Sequence, residues 1–188
     1  MTAIETRRRD EGIAFVALFA LTIPAANWLI GHAGTMCQPT GPCLIPVAPG
    51  LMTPSGVIMA GAALVLRDLV QRRLGMAASS LAILAGAVLS ALLAPPALVI
   101  ASAAAFLLSE FVDLAVYTPL AQRGLIAAVV ASSVVGLVVD SIVFLWLAFG
   151  SLEFLLGQIV GKAWMVALSV PFVSWLRRRD QRLGIAPV

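Results

Sequence analysis

The sequence predicts an all-α integral membrane protein, a six-transmembrane-helix bundle with both termini cytoplasmic. Three observations lead there. Of 188 residues, 61% are hydrophobic and 11% charged, against about 25% charged in soluble domains. Six apolar stretches, bounded by charge or by Gly and Pro, each approach the ~20 residues a helix needs to cross the hydrocarbon. With six spans counted, every Arg falls on one side of the membrane. The bundle takes up residues 1–188 as one membrane domain, with no room for a separate soluble one.

The first span is about 12–31. It follows the basic stretch MTAIETRRRDEG, which resembles the start of a signal peptide, but its apolar run is too long for an h-region and no small-residue cleavage site follows cleanly. The second span is about 52–70, the third 76–93, the fourth 97–118, the fifth 124–149 and the sixth 153–176. Arg7, Arg8 and Arg9 precede the first span, and Arg67, Arg72 and Arg73 close the second. Arg123 follows the fourth, and Arg177, Arg178, Arg179 and Arg182 follow the sixth. The opposite loops, near 32–51, 94–96 and 150–152, hold no Lys or Arg. By the positive-inside rule both ends of the chain face the cytoplasm. Three spans on each side of the 94–96 turn give halves of opposite orientation, as in inverted-repeat transporters, although no residue-level repeat is seen.

The outer loop 32–51 is apolar and rich in Pro and Gly, so it packs over the bundle mouth or dips into it. Cys37 and Cys43 flank a Gln-Pro-Thr-Gly-Pro spacer. They either pair as a disulfide, as an outer face permits, or remain two partly buried thiols. A metal site is not expected there, because only His32 is near and no carboxylate supports it.

Polar residues inside the spans carry the functional signal. On a helix the side chains of Ser102, Phe106, Ser109, Glu110, Asp113 and Tyr117 fall on one stripe about 100° wide. A carboxylate in the membrane costs several kcal/mol, so two of them three residues apart point to an inward polar face. The first span adds Asn27, the second Arg67 and Asp68. The fifth adds Ser132, Ser133, Gly136 and Asp140 on one face, and the sixth adds Gln158, Lys162, Met165 and Ser169. Asp140 and Lys162 each lie nine residues from the outer ends of neighbouring antiparallel spans, roughly 13 Å deep, so they are placed to pair. Arg67 and Glu110 form a second candidate pair, with Asp113 or Asp68 joining. Pairing lowers the cost of burial, and together these groups define a polar cavity for a small solute. Trp164 and Tyr117 either stack on a flat ring or fill the core. The Gly157-x-x-x-Gly161 spacing predicts close helix packing, inside the bundle or against a second copy in a homodimer.

Several classes find no support. There is no H-E-x-x-H, no G-x-S-x-G and no phosphate-binding glycine loop, so no enzyme activity and no cofactor are expected. No basic patch with interleaved aromatics exists, so nucleic acid is not an expected partner. The expected partners are the lipid bilayer and a small-molecule substrate.

The stretches ASAAAFLLSEFVDLAVYTPL, ASSVVGLVVDSIVFLWLAFG and GQIVGKAWMVALSVPF, with AANWLI and LRDLVQRRLG earlier in the chain, resemble the queuosine precursor transporter family, also called the VUT or YhhQ family. The resemblance covers nearly the whole chain and is most specific in the last three spans. It implies uptake of a deazaguanine base across a bacterial inner membrane, with site residues Asn27, Arg67, Glu110, Asp113, Asp140 and Lys162. Phe106, Tyr117 and Gln158 join that substrate-binding set from the polar-face reading, the aromatics to stack on a planar ring and Gln158 to hydrogen-bond it. The competing reading is the substrate-binding subunit of an energy-coupling-factor vitamin importer. That subunit would need a separate ATPase module docked on small residues such as Ala14, Ala17 and Ala20.

Overall fold

The computed structural model describes residues 3–37, 41–94 and 98–185. The apolar runs fold into helices α1 (Ala3–His32), α2 (Val57–Leu93), α3 (Val99–Ala121), α4 (Leu125–Phe149) and α5 (Leu155–Leu183). All five are long and apolar enough to cross a membrane. Glycines terminate two of them. Gly150 and Gly184 take left-handed backbone at the ends of α4 and α5, and their N–H groups return to Trp146 O and Asp180 O, as C-terminal glycine caps do.

The expected second and third spans are the two arms of α2. Its backbone leaves helical geometry at Gly75, with φ 85° and ψ 175°. Val57 and Ser90, one on each arm, line the same cavity. Along an unbroken helix they would stand about 50 Å apart, so the chain doubles back at Gly75. The Gly75 turn, the start of α1 and the end of α5 meet at one end of the bundle, where Arg73 is ion-paired to both Glu11 and Asp180.

The opposite end differs from an all-α reading. Strands β1 (Met36–Cys37), β2 (Cys43–Ala48) and β3 (Leu51–Pro54) form an antiparallel sheet in the order β1-β2-β3. Ala48 pairs with Leu51 across the Pro49-Gly50 turn, where Gly50 supplies φ 72° as the third residue of a type II turn requires. The second helix therefore begins at Val57 rather than at 52, because residues 51–54 are spent on pairing with β2. Cys37 and Cys43 are joined by a disulfide. Their spacer residues 38–40 and the turn expected near 94–96, apart from Ala94, lie outside the described residues. The first helix also starts earlier than expected, at Ala3, and the last continues to Leu183.

Phe15, Leu64, Leu69, Tyr117, Val129, Leu137, Val173 and Leu176 form the main core, drawn from all five helices. Leu81, Leu92, Ile100 and Leu168 point outward, as a lipid-facing surface requires. Both glycines of the G-x-x-x-G are used inside the chain. A Cβ on Gly157 would strike the Met52 carbonyl of β3, and one on Gly161 would lie 2.9 Å from Val57 and 3.2 Å from Val47.

The fold-back makes Gly75 a position where a side chain is strained, since its φ/ψ is nearly restricted to glycine. Gly75→Ala should lower stability by about 1–3 kcal/mol, read as a lower melting temperature in detergent. Gly31→Ala, in α1 with nothing within 4 Å of its Cβ position, should leave it unchanged or raise it slightly.

Candidate functional site

The polar side chains sort into three tiers along the bundle. The first is a cavity of about 130 Å³ near the sheet end, walled by α1, both arms of α2, α3, α4 and α5. Its polar wall includes Asn27, Ser90, Ser102, Asp140, Gln158 and Lys162, and its aromatic wall is Phe106 and Phe144.

The pair expected from equal depth is formed on this wall. Lys162 Nζ donates to Asp140 Oδ2 at 2.5 Å, to Gln158 Oε1 at 2.7 Å and to Ser141 Oγ at 2.8 Å. An ammonium has three protons to give, so Lys162 is fully committed and fixes three neighbours. Asp140 keeps capacity. Its Oδ1 accepts only a long 3.4 Å bond from Ser109 Oγ, and the side chain retains 19% exposure. Gln158 spends its carbonyl on Lys162, which leaves its NH₂ as the donor it can offer the cavity. Asn27 spends its NH₂ on Ile23 O at 2.9 Å, which leaves its carbonyl as an acceptor.

The second tier lies one helical turn deeper. Arg67 is one turn beyond the cavity residue Ala63, and Glu110 one turn beyond Phe106. Arg67 Nε bonds Glu110 Oε2 at 3.3 Å, Nη2 pairs with Asp68 Oδ1 at 2.7 Å and with Asp113 Oδ2, and Nη1 bonds Gln71 Oε1 at 3.3 Å. The guanidinium sits 5.7 Å above the Tyr117 ring, a cation–π distance. Ser132 Oγ donates to Asp68 Oδ2 at 2.9 Å. A small residue makes the approach feasible: a Cβ on Gly136 would fall 3.0 Å from Asp113 Cβ.

The third tier closes the other end. Asp180 accepts from both Arg72 and Arg73, at 2.8–3.0 Å. Glu11 accepts from Arg73 at 2.9 Å and from Arg179 at 2.5 Å.

Of the residues singled out in the sequence, Asn27, Phe106, Asp140, Gln158 and Lys162 meet on the cavity wall, while Arg67, Glu110, Asp113 and Tyr117 form the layer beneath it. Trp164 is on neither. It is exposed, and its indole N–H holds Val47 O of β2 at 3.1 Å, so it anchors the sheet. Phe144, Ser90 and Ser141 were missed, since single small or aromatic residues in apolar helices carry little signal. The Glu11 and Asp180 clasp was missed as well. A signal for it existed: both acids stand beside a run of three arginines, RRRDE at 7–11 and RRRD at 177–180.

The long apolar helices thus enclose a cavity with one polar wall. Residues 87–176, from the end of α2 through most of α5, match the family model described as "Putative vitamin uptake transporter". The family resemblance read in the last three spans is thereby borne out for that stretch, and the five long apolar helices are those of a multi-pass membrane protein. No curated protein and no solved structure matches it.

Removing one member of a buried ion pair strands the other. Lys162→Met should destabilise by about 3–5 kcal/mol, with Asp140→Asn milder because the amide still accepts from Nζ and the site is partly open. The double variant should recover part of the Lys162→Met loss. Unfolding in detergent, compared across the cycle, measures the coupling.

Proposed function

We propose that the protein imports a small, planar, purine-like solute, a queuosine precursor of the deazaguanine type, and that the cavity beside Asp140 is its binding site. The observation that carries this reading is the cavity wall itself: one carboxylate with spare accepting capacity, one amide donor, one amide acceptor and two aromatic rings, in a chain of a transporter family. A guanine-like edge presents adjacent N–H donors, which suit Asp140 Oδ1. Its carbonyl suits the Gln158 NH₂, and a ring N–H suits the Asn27 carbonyl. Phe106 and Phe144 supply apolar faces for the ring. Lys162 does not need to touch the solute. It fixes the Asp140 carboxylate in place and holds Gln158 turned so that its donor is free. Arg67, Glu110, Asp113 and Tyr117 form the floor of the site and hold α2 against α3.

The same reading places both arms of α2 across the membrane, giving six crossings with both termini cytoplasmic, in a bacterial inner membrane. It is supported by the absence of Lys and Arg from the sheet-end loops and by the arginine-rich clasp at the other end. The cavity then lies on the outer side, where a solute arriving from outside would meet it first.

Purified protein should be stabilised against heat by 7-deazaguanine more than by guanine or by a vitamin panel. A ligand at 100 times Kd adds about 2.7 kcal/mol. Asn27→Ala or Gln158→Leu should weaken binding about 3- to 10-fold, the worth of one neutral hydrogen bond, and Asp140→Asn by more, since that bond is to a charge. Folded protein that responds to no base, or a Gln158→Leu variant that binds as the wild type does, would overturn the assignment. Stabilisation by a vitamin alone, together with an ATPase required for uptake, would favour the energy-coupling-factor reading.

A further inference from the structure

The tier beneath the cavity holds more acid than base. Arg67 is the one cation among Asp68, Glu110 and Asp113, and all four side chains are buried, at 0%, 0%, 2% and 0% exposure. Elsewhere acid is not in excess. Lys162 offsets Asp140, and in the clasp the arginines outnumber Glu11 and Asp180. With all three carboxylates ionised, the middle tier would carry two uncompensated negative charges out of water, and each such ion costs several kcal/mol.

The hydrogen bonds say the same independently. Asp113 Oδ1 and Asp68 Oδ1 are buried oxygens without a hydrogen-bond partner, although Asp68 Oδ1 stands beside Arg67 as an ion pair. A carboxylate that ionises in such a place normally gathers donors. An oxygen left without one is where a proton can reside. The arrangement does not suit a metal ion, because among the described residues no three His, Cys, Asp or Glu side chains converge as metal ligands.

Of the three acids Glu110 is best placed to exchange a proton with the cavity. It follows Ser109, whose hydroxyl reaches Asp140 on the cavity wall, and Asp140 is close enough to Glu110 to act on it electrostatically. Glu110 also has the loosest hold on Arg67, a single 3.3 Å bond. The groups facing it are Arg67 and Asp68 from α2, Asp113 and Tyr117 from α3, and Asp140 with its partner Lys162 from α4 and α5. Next in line is Arg72 of the clasp, near enough to Tyr117 to act on it electrostatically.

We propose that this tier is a proton-coupling site, with Glu110 as the group that takes a proton from the cavity and gives it up towards the clasp end, so that solute entry is driven by proton entry. This rests on the importer reading above. The step is one proton transfer with no redox change. A hydronium ion in the cavity gives a proton to a Glu110 oxygen and is left as water. Arg67, losing that ionic contact, keeps Asp68 and Asp113. When Glu110 is next exposed on the other side the O–H bond breaks, a water there takes the proton as hydronium, and the carboxylate returns to Arg67.

The test uses full-length protein in liposomes with labelled 7-deazaguanine. An acid-outside gradient should accumulate label above the equilibrium level, a protonophore should abolish the excess, and added solute should acidify the lumen, read by a trapped pH dye. In Glu110→Gln the ratio of gradient-driven to gradient-free uptake should fall to about one. In Glu110→Asp, which keeps a titratable group, it should stay above one. Uptake that only equilibrates, or that follows a sodium gradient, overturns the coupling proposal while the importer reading stands. Wild-type protein that neither binds nor exchanges the base overturns both.

Discussion

The structure depends on accommodating one guanidinium. Arg67 is wholly buried, and every one of its strong contacts is with a charged or amide side chain: Asp68 and Gln71 on its own helix, Glu110 and Asp113 on α3. Because those partners occupy successive turns, they fix both the rotation and the axial register of α2 against α3. Ser132 then ties α4 to the same cluster through Asp68. Replacing such a buried network by hydrocarbon need not weaken a protein, whereas removing one partner usually does. The cluster is therefore better understood as a device for position and charge than as a source of stability.

Much of this was legible in the residues. The stripe containing Ser102, Phe106, Glu110, Asp113 and Tyr117 does face inward, because charged and polar side chains in hydrocarbon have nowhere else to go. Equal depth on antiparallel neighbours brought Asp140 and Lys162 together, since helical rise converts residue number into distance. What could not be read was which polar groups face each other and which face empty space. Periodicity gives the direction of a side chain but not the gap between helices. That gap is set by residues such as Gly136 and Gly161, whose effect is felt only once a neighbour is known.

The three-stranded sheet illustrates another limit. Pro49-Gly50 is a sound hairpin signal, but it stood in an apolar loop next to a helix-length run. The expected start of the second helix at 52 absorbed β3. Trp164 was legible as an aromatic that either stacks on a flat ring or fills the core, yet it is exposed and its indole N–H is satisfied by a strand carbonyl that helix reasoning does not supply. The Gly75 break lies inside a stretch of good helix formers, and the positions of the arginines revealed the reversal more clearly than any local propensity.

The clasp at the arginine-rich end also bears on how the protein is made. Arg72 and Arg73 emerge during synthesis long before Asp180, which is more than a hundred residues away and accepts from both. Until the last helix arrives, of the two acids in the clasp only Glu11 is there to answer the two cations beside the Gly75 turn. Once α5 arrives, the same arginines fasten the first, second and last helices together. A single pair of residues thus leaves the bundle half-tied until its last helix is made.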